Sequence, residues 1–222
     1  MAQRPIFLPN QADVLVEEKY VEFEWHPGLA VQQKRRSVSS LHRAAAEMKV
    51  VPVLEVSTKS ESVLGRSLSA FNLALDAGEA GKFLVEAAFQ GSKVFEKGGP
   101  YRDMYGLSGR QIKRDNRLKD SGVLRGFDFM DVIWDLEPKT AFYDWLYIRA
   151  LSQHPKLADE VTSYAAFSDI EFNPKKSINC QARSVALFVS LRERGFLNQA
   201  LSSKDAFLKL LGGNNSGKLF SG

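Results

Sequence analysis

Residues 140–151 read TAFYDWLYIRAL, and this stretch decides the fold class. Its apolar side chains fall on nearly every side of a 3.6-residue turn rather than on one stripe, so a helix here must be packed on several faces. A central helix is therefore expected over 139–153, with its aromatic residues as core first and ligand contacts second. Outward from it, helices are predicted at 155–166 and 177–194 on one side and at 82–96 and 109–119 on the other. The 177–194 segment opens at Ser177 and stops before Gly195, as a capped helix does. Further upstream, 14–25 (VLVEEKYVEFEW) and 51–57 (VPVLEVS) carry the β-branched and aromatic content of strands, with a helix around 37–47 between them. The expected fold is α+β, a mostly helical single domain with a few N-terminal strands. It divides into a mixed strand-and-helix extension over 1–60 packed on the core, a core over 61–211, and a flexible polar tail, GGNNSGKLFSG, over 212–222.

The totals narrow the function classes. A chain of 222 residues with 44% hydrophobic and 25% charged residues has the composition of an ordinary globular domain, not of a disordered or fibrous chain. No apolar run approaches the roughly 20 residues that span a bilayer, and MAQRPIFLPNQ has no secretory apolar segment, so a cytoplasmic, membrane-free protein is expected. The single cysteine, Cys180, excludes an internal disulfide framework and a multi-thiolate zinc site. Three scattered histidines (His26, His42, His154) form no metal-binding pattern, so neither a metal nor a cofactor is expected. GxGxxG, GxxxxGK[ST], GxSxG and HExxH are all missing, which leaves dinucleotide, P-loop, hydrolase-elbow and metalloprotease readings without a motif.

Four clusters carry candidate chemistry. In KFLVEAAFQGSKVFE (82–96) a helix would set Glu86, Gln90 and Lys93 at i, i+4 and i+7 on one face, beside an apolar face of Val85, Ala88, Phe89 and Ser92. A solvated surface stripe has the same spacing. Two turns flank it: Leu68-Ser69-Ala70-Phe71-Asn72-Leu73 upstream and Gly98-Gly99-Pro100-Tyr101 downstream. FSDIEFNPKKSINCQARS (167–184) gathers Asp169, Lys176, Asn179, Gln181 and Arg183 around a helix start, where free N–H groups suit either a phosphate or an ordinary cap. Arg110, Lys113, Arg114 and Arg117 follow helical spacing in GRQIKRDNRLK and would form a basic face that tracks a phosphate backbone or is simply solvated. The formal charge of +4 permits nucleic acid without requiring it.

Glu86, Phe89, Gln90 and Lys93 spell ExxFQxxK, which resembles the signature helix of the NADAR family, named for its association with NAD and ADP-ribose. Ser69-Ala70-Phe71 resembles that family's Ser-Asn-Phe turn, with Ala70 in place of Asn. Asp169 and Ser177-Ile178-Asn179 resemble its late aspartate and Gly-x-Asn helix start, although Ser177 replaces the glycine and the Trp-Gly after the aspartate is missing. VEAAFQGSKVFEKGGPY and DIEFNPKKSINCQARS look like the branch encoded beside DarT-type toxins, which ADP-ribosylate DNA bases. The resemblance covers roughly 64–195 and implies an N-glycosidase that removes ADP-ribose from guanine in DNA. The chain would then act as an antitoxin to a DarT-type toxin, with ADP-ribose as product.

On that implication Glu86 and Lys93 are the catalytic candidates. Glu86 would stabilise an oxocarbenium-like ribose or deprotonate the nucleophile, and Lys93 would act as nucleophile, proton donor or phosphate clamp. Asn72 and Asn179 would hydrogen-bond ribose or base edges, and Ser69, Gln90 and Asp169 are further substrate-binding candidates. Lys176 and Arg183 would face the pyrophosphate, and Tyr101 or Trp134 would stack on a ring. Arg110, Lys113, Arg114 and Arg117 would hold DNA, and in the N-terminal part Lys34-Arg35-Arg36 and His42-Arg43 are further places to touch it. Two other readings stay open: an N-glycosidase for a small riboflavin-pathway metabolite, and a non-catalytic binder of ADP-ribose or of a toxin.

Overall fold

A computed structural model describes residues 1–10, 12 and 14–213. Its strands and helices in chain order are β1 (Ala2–Pro9), β2 (Val16–Phe23), α1 (Val31–Glu47), β3 (Val53–Glu55), α2 (Val63–Ser67), β4 (Ala74–Asp76), β5 (Lys82–Leu84), α3 (Val85–Gly91), β6 (Lys93–Phe95), α4 (Gly109–Arg114) and α5 (Arg117–Asp120). They continue with β7 (Leu124–Phe129), β8 (Val132–Trp134), α6 (Ala141–Ser152), α7 (Pro155–Glu160), β9 (Ala166–Ser168), α8 (Gln181–Glu193), α9 (Leu197–Ser202) and α10 (Lys204–Gly213). The fold is α+β, as expected, with about 46% of the chain helical and 20% in strands.

The largest sheet has the order β2-β1-β9-β3, with β1 antiparallel to both neighbours and β3 parallel to β9. Side chains alternate across a strand, and β1 uses both faces. Ile6 joins Val21, Phe23, Val38 and Leu41 under α1, while Phe7 joins the main core with Leu54, Phe167 and the residues of α8. The sheet is therefore covered by α1 on one face and by α8 on the other. Residues 1–60 supply three of its four strands and β9 supplies the last, so the sheet is shared across the boundary expected near residue 60.

The central-helix expectation holds. Ten of the twelve residues of α6 are buried, and it packs against α3, α8 and α9. Each fully buried large apolar side chain contributes about 1.5–3 kcal/mol, so this helix anchors the main core.

Several boundaries differ from expectation. The 82–96 segment is strand, helix and strand instead of one helix, and 109–119 breaks at Asp115-Asn116. The helix begun at 155 ends at Glu160, and Ala166 already belongs to β9. The helix expected from Ser177 begins at Gln181. Strands β1, β7 and β8 were not anticipated. The expected tail lies outside the described residues from 214 on, and α10 takes in its first two glycines. Among the described residues, no helix is long and apolar enough to cross a membrane.

Candidate active site

Helix α3 buries Val85, Ala87, Ala88, Phe89 and Gly91, which leaves Glu86 and Gln90 half-buried at its edge. Gln90 Nε2 donates to Glu86 Oε1 at 3.1 Å, the i, i+4 contact that the spacing implies. The helix stops at Gly91 because the chain there runs against the 101–105 segment. A Cβ on Gly91 would lie 2.7 Å from the Tyr105 ring and 2.9 Å from the Tyr101 carbonyl oxygen. Lys93 consequently opens β6 rather than the next helical turn. Its ammonium nevertheless sits 5.0 Å over the Phe89 ring. Burial holds the Lys93 pKa below the ordinary lysine value, partly opposed by the charge of Glu86.

Tyr143, which the sequence reading did not single out, completes this group from α6. Its ring meets Phe89 edge-on, with centroids 5.0 Å apart at 86°. Burial pushes its hydroxyl pKa well up, and the Glu86 carboxylate adds to the effect, so the phenol is neutral.

Two concavities lie nearby, the first of them lined by Phe89, Lys93 and Tyr143 of this group, while Glu86 itself lines neither. One, of about 320 Å³, is lined by Phe89, Lys93, Phe127, Phe142 and Tyr143, by the 135–141 segment, and by Ile178 and Asn179. The other is a wide cleft of about 900 Å³ lined by Ser69, Phe71, Ser177 and Gln181 and by the basic Lys59, Arg110, Lys113 and Arg114. Both border the 177–179 segment. Glu86 is tied to each: its N–H donates to the Ala70 carbonyl at 2.9 Å, between Ser69 and Phe71, and its carboxylate acts on Lys93 and Tyr143.

A buried polar chain stands behind the cleft. Gln181 Oε1 accepts from the Ala70 N–H at 2.8 Å, while its Nε2 donates to Asp169 Oδ2 at 3.1 Å. Asp169 Oδ1 also accepts from the Glu171 N–H at 3.0 Å. Asp169 therefore orients Gln181, Gln181 fixes the 69–71 turn, and that turn receives the amide of Glu86. Nearby, the fully buried Glu55 accepts from Ser57 Oγ and Ser168 Oγ, both at 2.6 Å, and from the Ile170 N–H at 2.9 Å. Burial raises the pKa of Glu55. It raises that of Asp169 too, where the Glu55 charge adds to the effect. His42 Nε2 lies 2.8 Å from Ser168 Oγ, and burial lowers its pKa to about 4, so the ring is neutral.

Of the residues selected from sequence, Glu86, Gln90, Lys93, Ser69, Asp169 and Asn179 gather here, while others lie elsewhere. Asn72 is exposed, donates to the Arg66 carbonyl at 2.7 Å, and lines a separate concavity with Val63 and His154. The Tyr101 hydroxyl bonds Ser121 Oγ, and its ring lies 4.6 Å beneath the Arg117 guanidinium. Trp134 is 1% exposed among Phe142, Trp145 and Phe207, so it is a core residue with no free face for a ligand ring. Arg183 is ion-paired with Asp144, which is itself 1% exposed, and also donates to Thr140 Oγ1. Lys176 is exposed on the loop ahead of α8. Arg110, Lys113 and Arg114 line the wide cleft together, but Arg117 does not join them. Past the break at Asp115-Asn116 its guanidinium pairs with both Asp103 and Asp115 at 2.7 Å.

The arrangement offers an amine of lowered pKa and a neutral phenol against one aromatic ring at an apolar pocket, with the half-buried Glu86 carboxylate acting on both. A family model described as DarT1-associated NADAR antitoxin matches residues 2–218. Among curated proteins, none matches this chain.

Proposed function

The chain belongs to the family of DarT1-associated NADAR antitoxins, and from that membership we propose that it hydrolyses the N-glycosidic bond between ADP-ribose and guanine in DNA. In this reaction the bond between ribose C1 and the guanine nitrogen breaks, water delivers hydroxide to C1, and the departing base takes up a proton. Positive charge builds on the ribose as the bond lengthens, and a carboxylate partly withdrawn from water stabilises it. Glu86 is that carboxylate, and Lys93 supplies the proton to the base. The pocket of Phe89, Phe127 and Phe142 suits a flat ring, and a base that must reach it leaves its stack. The observation that carries the reading is the half-buried Glu86 carboxylate, held by Gln90 and electrostatically coupled to Lys93 and Tyr143.

The test incubates ADP-ribosylated guanine DNA, and separately an aminopyrimidine ribotide, with wild type, Glu86→Gln and Lys93→Ala. Free ADP-ribose should appear from the DNA and fall by about 10²-fold or more in Glu86→Gln. Turnover of the ribotide alone would replace this reading with a small-metabolite glycosidase. Toxin neutralisation by Glu86→Gln without turnover would replace it with a non-catalytic binder.

A further inference from the structure

Helix α1 carries Gln32, Arg36, Ser39 or Ser40, and Arg43 at steps of three to four residues, hence on one face, opposite the buried Ser37, Val38, Leu41 and Ala45. This face walls a concavity of about 810 Å³. Its boundary with the wide cleft is the short 58–61 segment, where Thr58 and Lys59 line the cleft and Glu61 lines the α1 concavity. Arg35 Nε reaches across to the Lys59 carbonyl at 3.4 Å. The two concavities are thus halves of one band.

The band is where the chain keeps its charge. Together its walls hold seven Arg and Lys against three Glu, an excess of four that equals the formal net charge of +4 for all 222 residues. Among the described residues, Arg36, Arg43, Arg110 and Arg114 have no carboxylate at ion-pair distance, as is also true of Arg4, Arg66, Arg149 and Arg194 outside the band, whereas Arg102, Arg125 and Arg192 are each paired. Unpaired guanidiniums with serine hydroxyls between them suit phosphate oxygens, which accept the planar guanidinium fork. Arg36 and Arg43 are seven residues apart, about 10 Å along the helix, far enough to touch separate phosphates of one strand. At its other end the band meets Ser69 and Phe71, which flank the carbonyl that holds the Glu86 amide.

We propose that the outer face of α1, continued through Lys59 to Arg110 and Arg114, binds the sugar-phosphate backbone of the DNA strand that carries the modified base. The assignment deepens the DNA reading given above and rests on it for the identity of the polymer. Its support is charge complementarity over a surface that ends at Ser69 and Phe71, on either side of the Ala70 carbonyl that accepts the Glu86 N–H.

The test measures binding of a short unmodified single-stranded DNA by fluorescence anisotropy against salt, for wild type, Arg36→Gln/Arg43→Gln and Arg117→Gln. The double variant should bind more weakly, and its log–log salt slope should shrink by about 1.4, since each lost phosphate contact on a single strand removes about 0.7. Arg117→Gln, whose guanidinium is committed to Asp103 and Asp115, should match wild type. Turnover of a free ADP-ribosylated guanosine should be unchanged in the double variant while kcat/KM on DNA falls. Unchanged affinity and slope would overturn the proposal, as would a wild type that does not bind DNA, or loss of toxin binding with DNA binding intact. If wild type hydrolyses neither substrate yet the double variant loses DNA affinity as predicted, the surface stands and the proposed chemistry falls.

Discussion

Replacing Gln181 with methionine, a side chain of similar length without polar hydrogen-bonding groups, tests how the site is held. The Gln181 amide accepts from the Ala70 N–H at 2.8 Å and donates to Asp169 at 3.1 Å, at a position only 9% exposed. Water has little access to replace either contact. Leaving the Ala70 N–H without an acceptor costs about 1–3 kcal/mol, and removing a donor from Asp169 adds roughly 1 kcal/mol, for a total of about 2–4 kcal/mol. In a chain of this size each kcal/mol lowers Tm by about 2–4 °C, so calorimetry should find a drop of roughly 5–15 °C. Turnover should fall too, with kcat affected more than KM, because the freed turn carries the carbonyl that fixes the Glu86 amide. Gln181→Glu keeps the acceptor for Ala70 but sets a second carboxyl against Asp169. Its deficit should be small in acid and grow as pH rises. A Gln181→Met protein that melts within about 2 °C of wild type and turns over normally would refute the reasoning, since that shift is below one lost hydrogen bond.

The raised pKa values of Glu55 and Asp169 set a pH dependence: above the ordinary carboxylate range the folded chain holds protons that the unfolded chain has released, so stability falls as pH rises through the raised values. Denaturant midpoints from about pH 5 to about pH 9 should therefore decline, and Asp169→Asn should flatten the decline. Lys93 has the opposite sign: its lowered pKa means that folding disfavours the ammonium, a cost relieved as pH rises from the lowered value towards the ordinary one. Lys93→Met should thus melt at or above wild type near neutrality while turnover falls, and a large loss of Tm would contradict this. Arg183→Met should cost about 3–5 kcal/mol, because Asp144 would remain as a buried carboxylate with only the Thr140 and Ser184 hydroxyls. An unchanged Tm with a raised KM would instead return Arg183 to the substrate.

Periodicity in the sequence located α6 and the Glu86–Gln90 pair, because both are set by contacts within three or four residues. It misread what tertiary contacts decide. Segment 82–96 has a helical polar stripe throughout, yet the approach of Tyr101 and Tyr105 at Gly91 ends the helix. The basic stripe was broken by a local competitor: Asp115 accepts the Arg117 N–H at 3.0 Å and its guanidinium as well, which makes a turn more favourable there than another helical step. Strand β1 carries Pro5 and Pro9, a residue type that is rare inside strands and masks its signal. Strand β7 had a signal available, since Phe127 and Phe129 alternate with Asp128.

The seven-residue interval from Glu86 to Lys93 matters for a different reason than helical repetition. Two turns of helix would put the lysine one step past Gln90 along the same half-buried edge. A helix that stops at Gly91 and reverses into a strand returns the ammonium over Phe89, where burial lowers its pKa and Glu86 is the opposing charge. The position of the amine therefore follows from the chain turning after Gln90, and a substitution at Gly91 that displaced the Tyr105 ring would move Lys93 while preserving every residue of the motif.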